Sequence, residues 1–141
     1  PNKKIGFLIK QVFYLHEQHL NKQFSKFGLT ASQTFTLIYL FKSHDKGISV
    51  NQKDIEKELD ISNPTVTGIL NRLEVKGLIT RVPCRHDARA KNIEVTEKAL
   101  ELDKQLRIVF QQSDEKLVES LSKEEIDNLQ SYLIKILRSN S

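Results

Sequence analysis

The segment Ile61–Thr96, ISNPTVTGILNRLEVKGLITRVPCRHDARAKNIEVT, restricts the fold more than any other part of the chain. Ser62 is placed to cap a helix, and Pro64 falls in its first turn, where a missing N–H costs nothing. Val66, Ile69, Leu70 and Leu73 recur at helical spacing as one apolar stripe, and Gly77 marks the stop. Leu78 to Cys84 and Lys91 to Val95 then alternate as strands, joined by the polar turn Arg85-His86-Asp87-Ala88-Arg89-Ala90. The charge follows the same segment. The whole chain carries +4, with 22 Lys and Arg against 18 Asp and Glu. The window Arg72–Lys91 holds six basic and two acidic residues, leaving sixteen of each sign elsewhere. A charge excess confined to one helix end and one hairpin is the footprint of a surface that meets a polyanion, against the plainer reading of a solvated basic face.

The rest of the chain reads as helices. Ile5, Leu8, Ile9, Val12, Phe13, Leu20, Phe24 and Phe27 keep helical spacing up to Gly28. Thr30 with Gln33 has capping-box spacing and opens a second helix through Phe41. Gly47 breaks the pattern, Ile48-Ser49-Val50 is at most a short strand, and Asn51 with Asp54 starts a short third helix that stops near Asp60. Thr96 caps a long helix carrying Leu100, Leu106, Val109, Phe110, Leu117 and Val118. Ser122 with Glu125 opens the last one, with Ile126, Leu129, Leu133, Ile136 and Leu137 on its apolar side. At 141 residues, 38% hydrophobic and 28% charged, the chain has globular composition and can bury a core without metals or disulfides. No apolar run approaches the roughly 20 residues of a membrane span, and no export signal is present. One cysteine fits a reducing compartment, so the expectation is a cytoplasmic protein without a membrane partner. Pro1 in place of Met leads us to expect a few further residues upstream.

Two short helices joined by a tight turn, the second followed at once by a hairpin, make a winged helix-turn-helix plan. The inward stripe leaves Pro64, Thr65, Thr67, Gly68 and Asn71 facing out, with Arg72 beside them. These are small hydrogen-bonding residues suited to a helix lying deep in a major groove. Gly68, costly by about 1 kcal/mol in an exposed helix interior, hints at close approach by a partner, although helix packing accounts for it equally well. The unpaired N–H groups behind Ser62 form a seat for phosphate. Arg85 and Arg89 at the hairpin tip suit a minor groove, and Asp87 is expected to pair with an arginine and orient the loop.

The stretch ISNPTVTGILNRLEVKGLI, with Asp87-Ala88-Arg89 and Ile93-Glu94-Val95-Thr96, resembles the recognition helix and wing of the MarR family of bacterial transcription regulators. The flanking helices agree, so the likeness covers essentially the whole chain. The resemblance implies a mainly α fold with a small β-hairpin. It implies one domain over residues 1–141, with residues 1–29 and 97–141 as a helical dimerisation region and residues 30–96 as the winged lobe. It also implies a homodimer on a palindromic double-stranded DNA operator, acting as a repressor, and often a small aromatic or lipophilic effector. Carried over by position, the wing arginine is Arg89, its acidic companion is Asp87, and the recognition residues fall on Asn63 to Arg72. The terminal helices have broad apolar faces, so Ile5, Leu8, Val12, Leu129, Leu133, Ile136 and Leu137 are expected at the dimer interface, the alternative being burial within one chain.

Other constellations are weaker. His16 and His19 lie three apart on the first helix, but zinc needs further ligands, and ordinary polar positions account for both. Cys84 sits beside Arg85 and His86, yet a packed thiol is favoured over a redox switch. Phe13, Tyr14, Tyr39 and Phe41 are candidates for an effector pocket, although aromatics at helical spacing are more often core. No nucleophile motif or glycine-rich phosphate loop occurs, so neither an enzyme nor a cofactor is expected. The competing class is a winged-helix protein-interaction module without DNA, and within the fold a metal- or redox-responsive regulator.

Overall fold

A computed structural model describes residues 3–87 and 89–141. The order is α1 Ile5–Ser25, α2 Ala31–Asp45, α3 Gln52–Leu59, α4 Asn63–Val75, β1 Ile79–Pro83, β2 Lys91–Val95, α5 Glu97–Leu117 and α6 Lys123–Ser139. The helix starts follow from local chemistry. Thr30 with Gln33, Asn51 with Asp54 and Ser122 with Glu125 form complete capping boxes. The Ser62 hydroxyl accepts from Thr65 N–H, and the Thr96 hydroxyl from Ala99 N–H. Each such cap is worth about 1 kcal/mol against alanine. α2 runs four residues past the expected Phe41, since nothing before Gly47 obliges it to stop. α1 ends at Ser25, three residues short of Gly28, because Phe27 already belongs to the turn.

Between α3 and α4 the chain turns on Asp60, held in the left-handed region at φ +52°, which Asp tolerates better than most side chains. After α4, Gly77 at φ +75° lets Leu78 N–H return to Leu73 C=O and aims the chain into β1. β1 and β2 pair antiparallel, from Ile79 opposite Val95 to Pro83 opposite Lys91. The short strand expected at Ile48-Ser49-Val50 is reduced to one bridge, Asn51 with Asn92, and a 2.7 Å bond from Ile93 N–H to Val50 C=O. That bond ties the hairpin to the start of α3.

One core joins most of these elements. Phe24 of α1, Phe41 of α2, Ile55 of α3, Val66 and Leu70 of α4 and Leu106 of α5 are all fully buried in it, with Ile79 of β1. A buried aromatic or aliphatic side chain of this kind stabilises the fold by about 1.5–3 kcal/mol. α1 lies along α5, where the Phe24 and Phe110 rings sit 5.2 Å apart. The first half of α1 and all of α6 stand outside this core. Ile5, Leu8, Val12, Leu129, Leu133, Ile136 and Leu137 are exposed, Leu137 by 70%, and α6 has no buried residue. Among the described residues, no helix is long and apolar enough to cross a membrane.

Candidate nucleic-acid interface

The α4 helix presents its polar face outward because the stripe Val66, Ile69, Leu70 and Leu73 is buried beneath it. Asn71 lies opposite that stripe, with Pro64, Gly68 and Val75 around it, whereas Asn63 and Thr67 line one flank and Thr65 and Arg72 the other. Ser62, Asn63, Pro64, Thr65, Asn71 and Arg72 are exposed; Thr67 and Gly68 are half-buried. The Thr67 hydroxyl is engaged within the fold. Its Oγ1 donates to Asn63 C=O at 2.9 Å and accepts from Gln52 Nε2 at 2.8 Å. A Thr in mid-helix that bonds back one turn has its only O–H donor committed, leaving its methyl and one acceptor lone pair to meet a partner. Asn63 is likewise held, donating from Nδ2 to Glu56 Oε2 at 3.0 Å. The Thr65 and Ser62 hydroxyls share a hydrogen at 2.9 Å. Above Gly68 lies the chain's own Arg72: a Cβ there would meet Arg72 Nη1 at 3.2 Å.

The hairpin supplies the positive charge. Its turn closes with Cys84 N–H bonded to Ala90 C=O at 2.8 Å, and Arg85 and Arg89 are both exposed, the Arg89 side chain by 96%. Asp87 Oδ1 accepts from Arg89 N–H at 3.0 Å and lies 3.7 Å from its Nε, so the carboxylate pairs with arginine rather than standing free. Ala88, the middle of the Asp87-Ala88-Arg89 motif, lies outside the described residues. Helix and hairpin meet across an open cleft of about 530 Å³ bordered by Gln52, Asn63 and Thr67 on one side and Arg81, Arg89 and Lys91 on the other. Arg81 crosses from β1 to the helix, with Nη2 2.9 Å from Asn71 Oδ1 and Nη1 3.8 Å from Glu74 Oε1.

Gln52, Glu56 and Arg81 were not singled out from sequence. Their role depends on which helix or strand each one faces, and periodicity does not report that. A weak signal existed for Arg81 alone, since it lies inside the basic window.

The remaining candidates sit elsewhere. Cys84 is half-buried, its Sγ 3.3 Å from Asn92 Oδ1 across the hairpin. His16 and His19 face α5, where His19 Nδ1 and Ser113 Oγ are 2.9 Å apart and His16 Nε2 is 3.9 Å from Asp114. Burial first, and then the Lys116 ammonium, hold the His19 imidazolium pKa below its ordinary value. Phe13 and Tyr14 are exposed, Tyr39 is half-buried and Phe41 is wholly in the core, so the four sit in different environments. The aromatic contacts that do form are Phe24 and Phe35 on Phe110.

A sequence profile of the MarR family matches residues 27–90, which span α2, α3, α4, β1 and the turn that follows it. Among solved structures, MepR of S. aureus in complex with DNA is 31% identical with a TM-score of 0.83, the match covering 98% of this chain and 99% of that one. MepR as the transcription regulator of the S. aureus multidrug efflux pump MepA is 29% identical, with a TM-score of 0.80 over 99% of this chain and 100% of that one. The apo form of wild-type MarR from E. coli is 25% identical, with a TM-score of 0.85 over 97% of this chain and 99% of that one.

Proposed function

Since this chain belongs to the MarR family of winged-helix transcription regulators, we propose that it is a cytoplasmic, homodimeric repressor that binds a palindromic double-stranded DNA operator and has no enzymatic role. One observation carries the reading: Asn63 and Thr67 on the polar flank of α4 and Arg81 and Arg89 of the hairpin border a single cleft, so helix and wing are placed to address the same ligand. The face of α4 opposite the core would enter the major groove, the Asn63 N–H, the one first-turn donor that Pro64 and the Ser62 cap leave open, would face a phosphate, and Arg85 and Arg89 would reach the adjoining backbone or minor groove. Dimerisation draws support from the apolar faces of α1 and α6, which are exposed among the described residues. A two-fold dimer sets half-site centres about 10 base pairs apart, one helical turn. Release by a small aromatic or lipophilic effector would then require a pocket completed by the second protomer. That inference follows from Phe13 and Tyr14 lying exposed on α1.

The test is an anisotropy titration of random-sequence duplex at two salt concentrations. If three cations of each protomer meet phosphate, affinity should fall about 10³-fold between about 50 and 200 mM salt. A protein that binds no duplex at the lower concentration would instead be an interaction module.

A further inference from the structure

On the outward face of α4, Asn71 is the one residue whose side chain bears both hydrogen-bond donors and an acceptor and lies opposite the buried stripe. A free carboxamide reads either kind of base edge, because rotation by half a turn exchanges its oxygen and nitrogen. This one is not free. Arg81 Nη2 lies 2.9 Å from its Oδ1, and a guanidinium has donors only, so the oxygen must be the atom that faces Arg81. Arg81 is itself half-buried, and its Nη1 lies 3.8 Å from Oε1 of Glu74, about one turn along α4 from Asn71. Its strand partner in register is Ile93, which is buried and bonded to Val50 C=O. The guanidinium thus stands on the core-tethered part of the hairpin, not at its tip. Asn71 Nδ2 makes no hydrogen bond among the described residues.

We propose that Arg81 is a positioning residue for base recognition. It holds the Asn71 oxygen so that the amide nitrogen alone meets the duplex. Asn71 thereby selects a base edge that offers an acceptor, guanine O6 or N7, adenine N7 or thymine O4, and rejects cytosine, whose major-groove edge offers the N4 donor. The assignment rests on the DNA-binding reading above.

Selection from a duplex library with a randomised core, followed by sequencing, tests it. The dimeric wild type should disfavour cytosine by about tenfold or more at one base pair of each half-site. Arg81→Leu should bring that preference to about threefold or less while the other positions keep theirs, and Arg81→Lys should restore part of it. Asn71→Asp offers only acceptors and still pairs with Arg81, so it should turn the same position toward cytosine, and it decides the matter should Arg81→Leu fail to fold. An unaltered base preference in Asn71→Asp, or uniform weakening at every position in a folded Arg81→Leu, would overturn the assignment while leaving DNA binding intact. A wild type that enriches no sequence at any salt concentration would overturn the DNA-binding reading, and this inference with it.

Discussion

Replacing Gly68 by alanine should move stability and DNA affinity in opposite directions. Gly68 lies in mid-helix in α4, where glycine costs about 1 kcal/mol relative to alanine. A Cβ at this site meets one neighbour, Arg72 Nη1 at 3.2 Å. That atom is the far end of a flexible, exposed side chain and can give by a few tenths of an ångström, so most of the helix-propensity gain should survive. For a domain of this size 1 kcal/mol corresponds to about 2–4 °C in melting temperature. On the outward face the sign reverses. If α4 lies against base edges, a methyl group added between helix and duplex acts like an overpacked core position. The cost should then be about 1–3 kcal/mol, or about 5- to 150-fold in affinity. The measurements are thermal unfolding by circular dichroism at fixed protein concentration, because the stability of the proposed dimer would depend on it, and duplex binding by anisotropy. A lowered melting temperature would refute the claim that Arg72 can yield. A raised melting temperature with unaltered affinity would refute close approach and leave Gly68 as no more than the seat of the Arg72 side chain.

Arg89→Ala, which removes a side chain 96% exposed at the hairpin tip, should weaken binding to all duplexes alike and reduce the slope of log K against log salt by about 0.9 for each phosphate no longer neutralised. An unaltered slope removes this arginine from the interface. The pair Leu133→Glu and Ile136→Glu should yield a monomer of 16.3 kDa in sedimentation with the helical signal retained, since both side chains are exposed and no residue of α6 is fully buried. A dimer that survives both charges would place the interface elsewhere. Because the folded-state pKa of His19 is depressed, first by burial and then by Lys116, its contribution is present above the ordinary value of 6.5 and is lost as pH falls through the lowered one. Stability should therefore decline on acidification below about pH 6.5, more shallowly in His19→Gln, and identical pH profiles for the two proteins would exclude His19 as the source.

What could be read from the sequence, and what could not, divides along the range of the interactions involved. Thr30 with Gln33, Asn51 with Asp54 and Ser122 with Glu125 were visible as helix starts because a cap is a contact between residues three apart. The stripe Val66, Ile69, Leu70 and Leu73 was visible because burial of a helix face is periodic. Gly47 was legible as a stop, whereas the end of α1 at Ser25 was not, since Phe27 keeps helical spacing while lying in the turn. The short strand at Ile48-Ser49-Val50 shrank to one bridge because its partner Asn92 is 41 positions away and no local pattern sets that register.

The same division explains why the recognition helix looked freer in sequence than it is in the fold. Asn63, Thr67 and Asn71 are four residues apart and read as an open polar face. Each nevertheless meets a side chain from another element, Glu56 and Gln52 from α3 and Arg81 from β1. These interactions have a consequence for binding. An exposed rotamer-rich side chain that must be immobilised on association costs about 0.5–1.5 kcal/mol, and three of them would cost several. Here much of that ordering takes place on folding, so it does not count against the complex. It also narrows what each residue can say to a base, because an oxygen already bonded is one fewer group to offer. On the DNA-binding reading proposed above, a helix gripped in this way would gain discrimination from side chains of α3 and β1 that brace it. Substitutions at Gln52, Glu56 and Arg81 should therefore alter which sequence is preferred more than how tightly DNA is held, the opposite of the pattern expected at Arg85 and Arg89 on the hairpin tip.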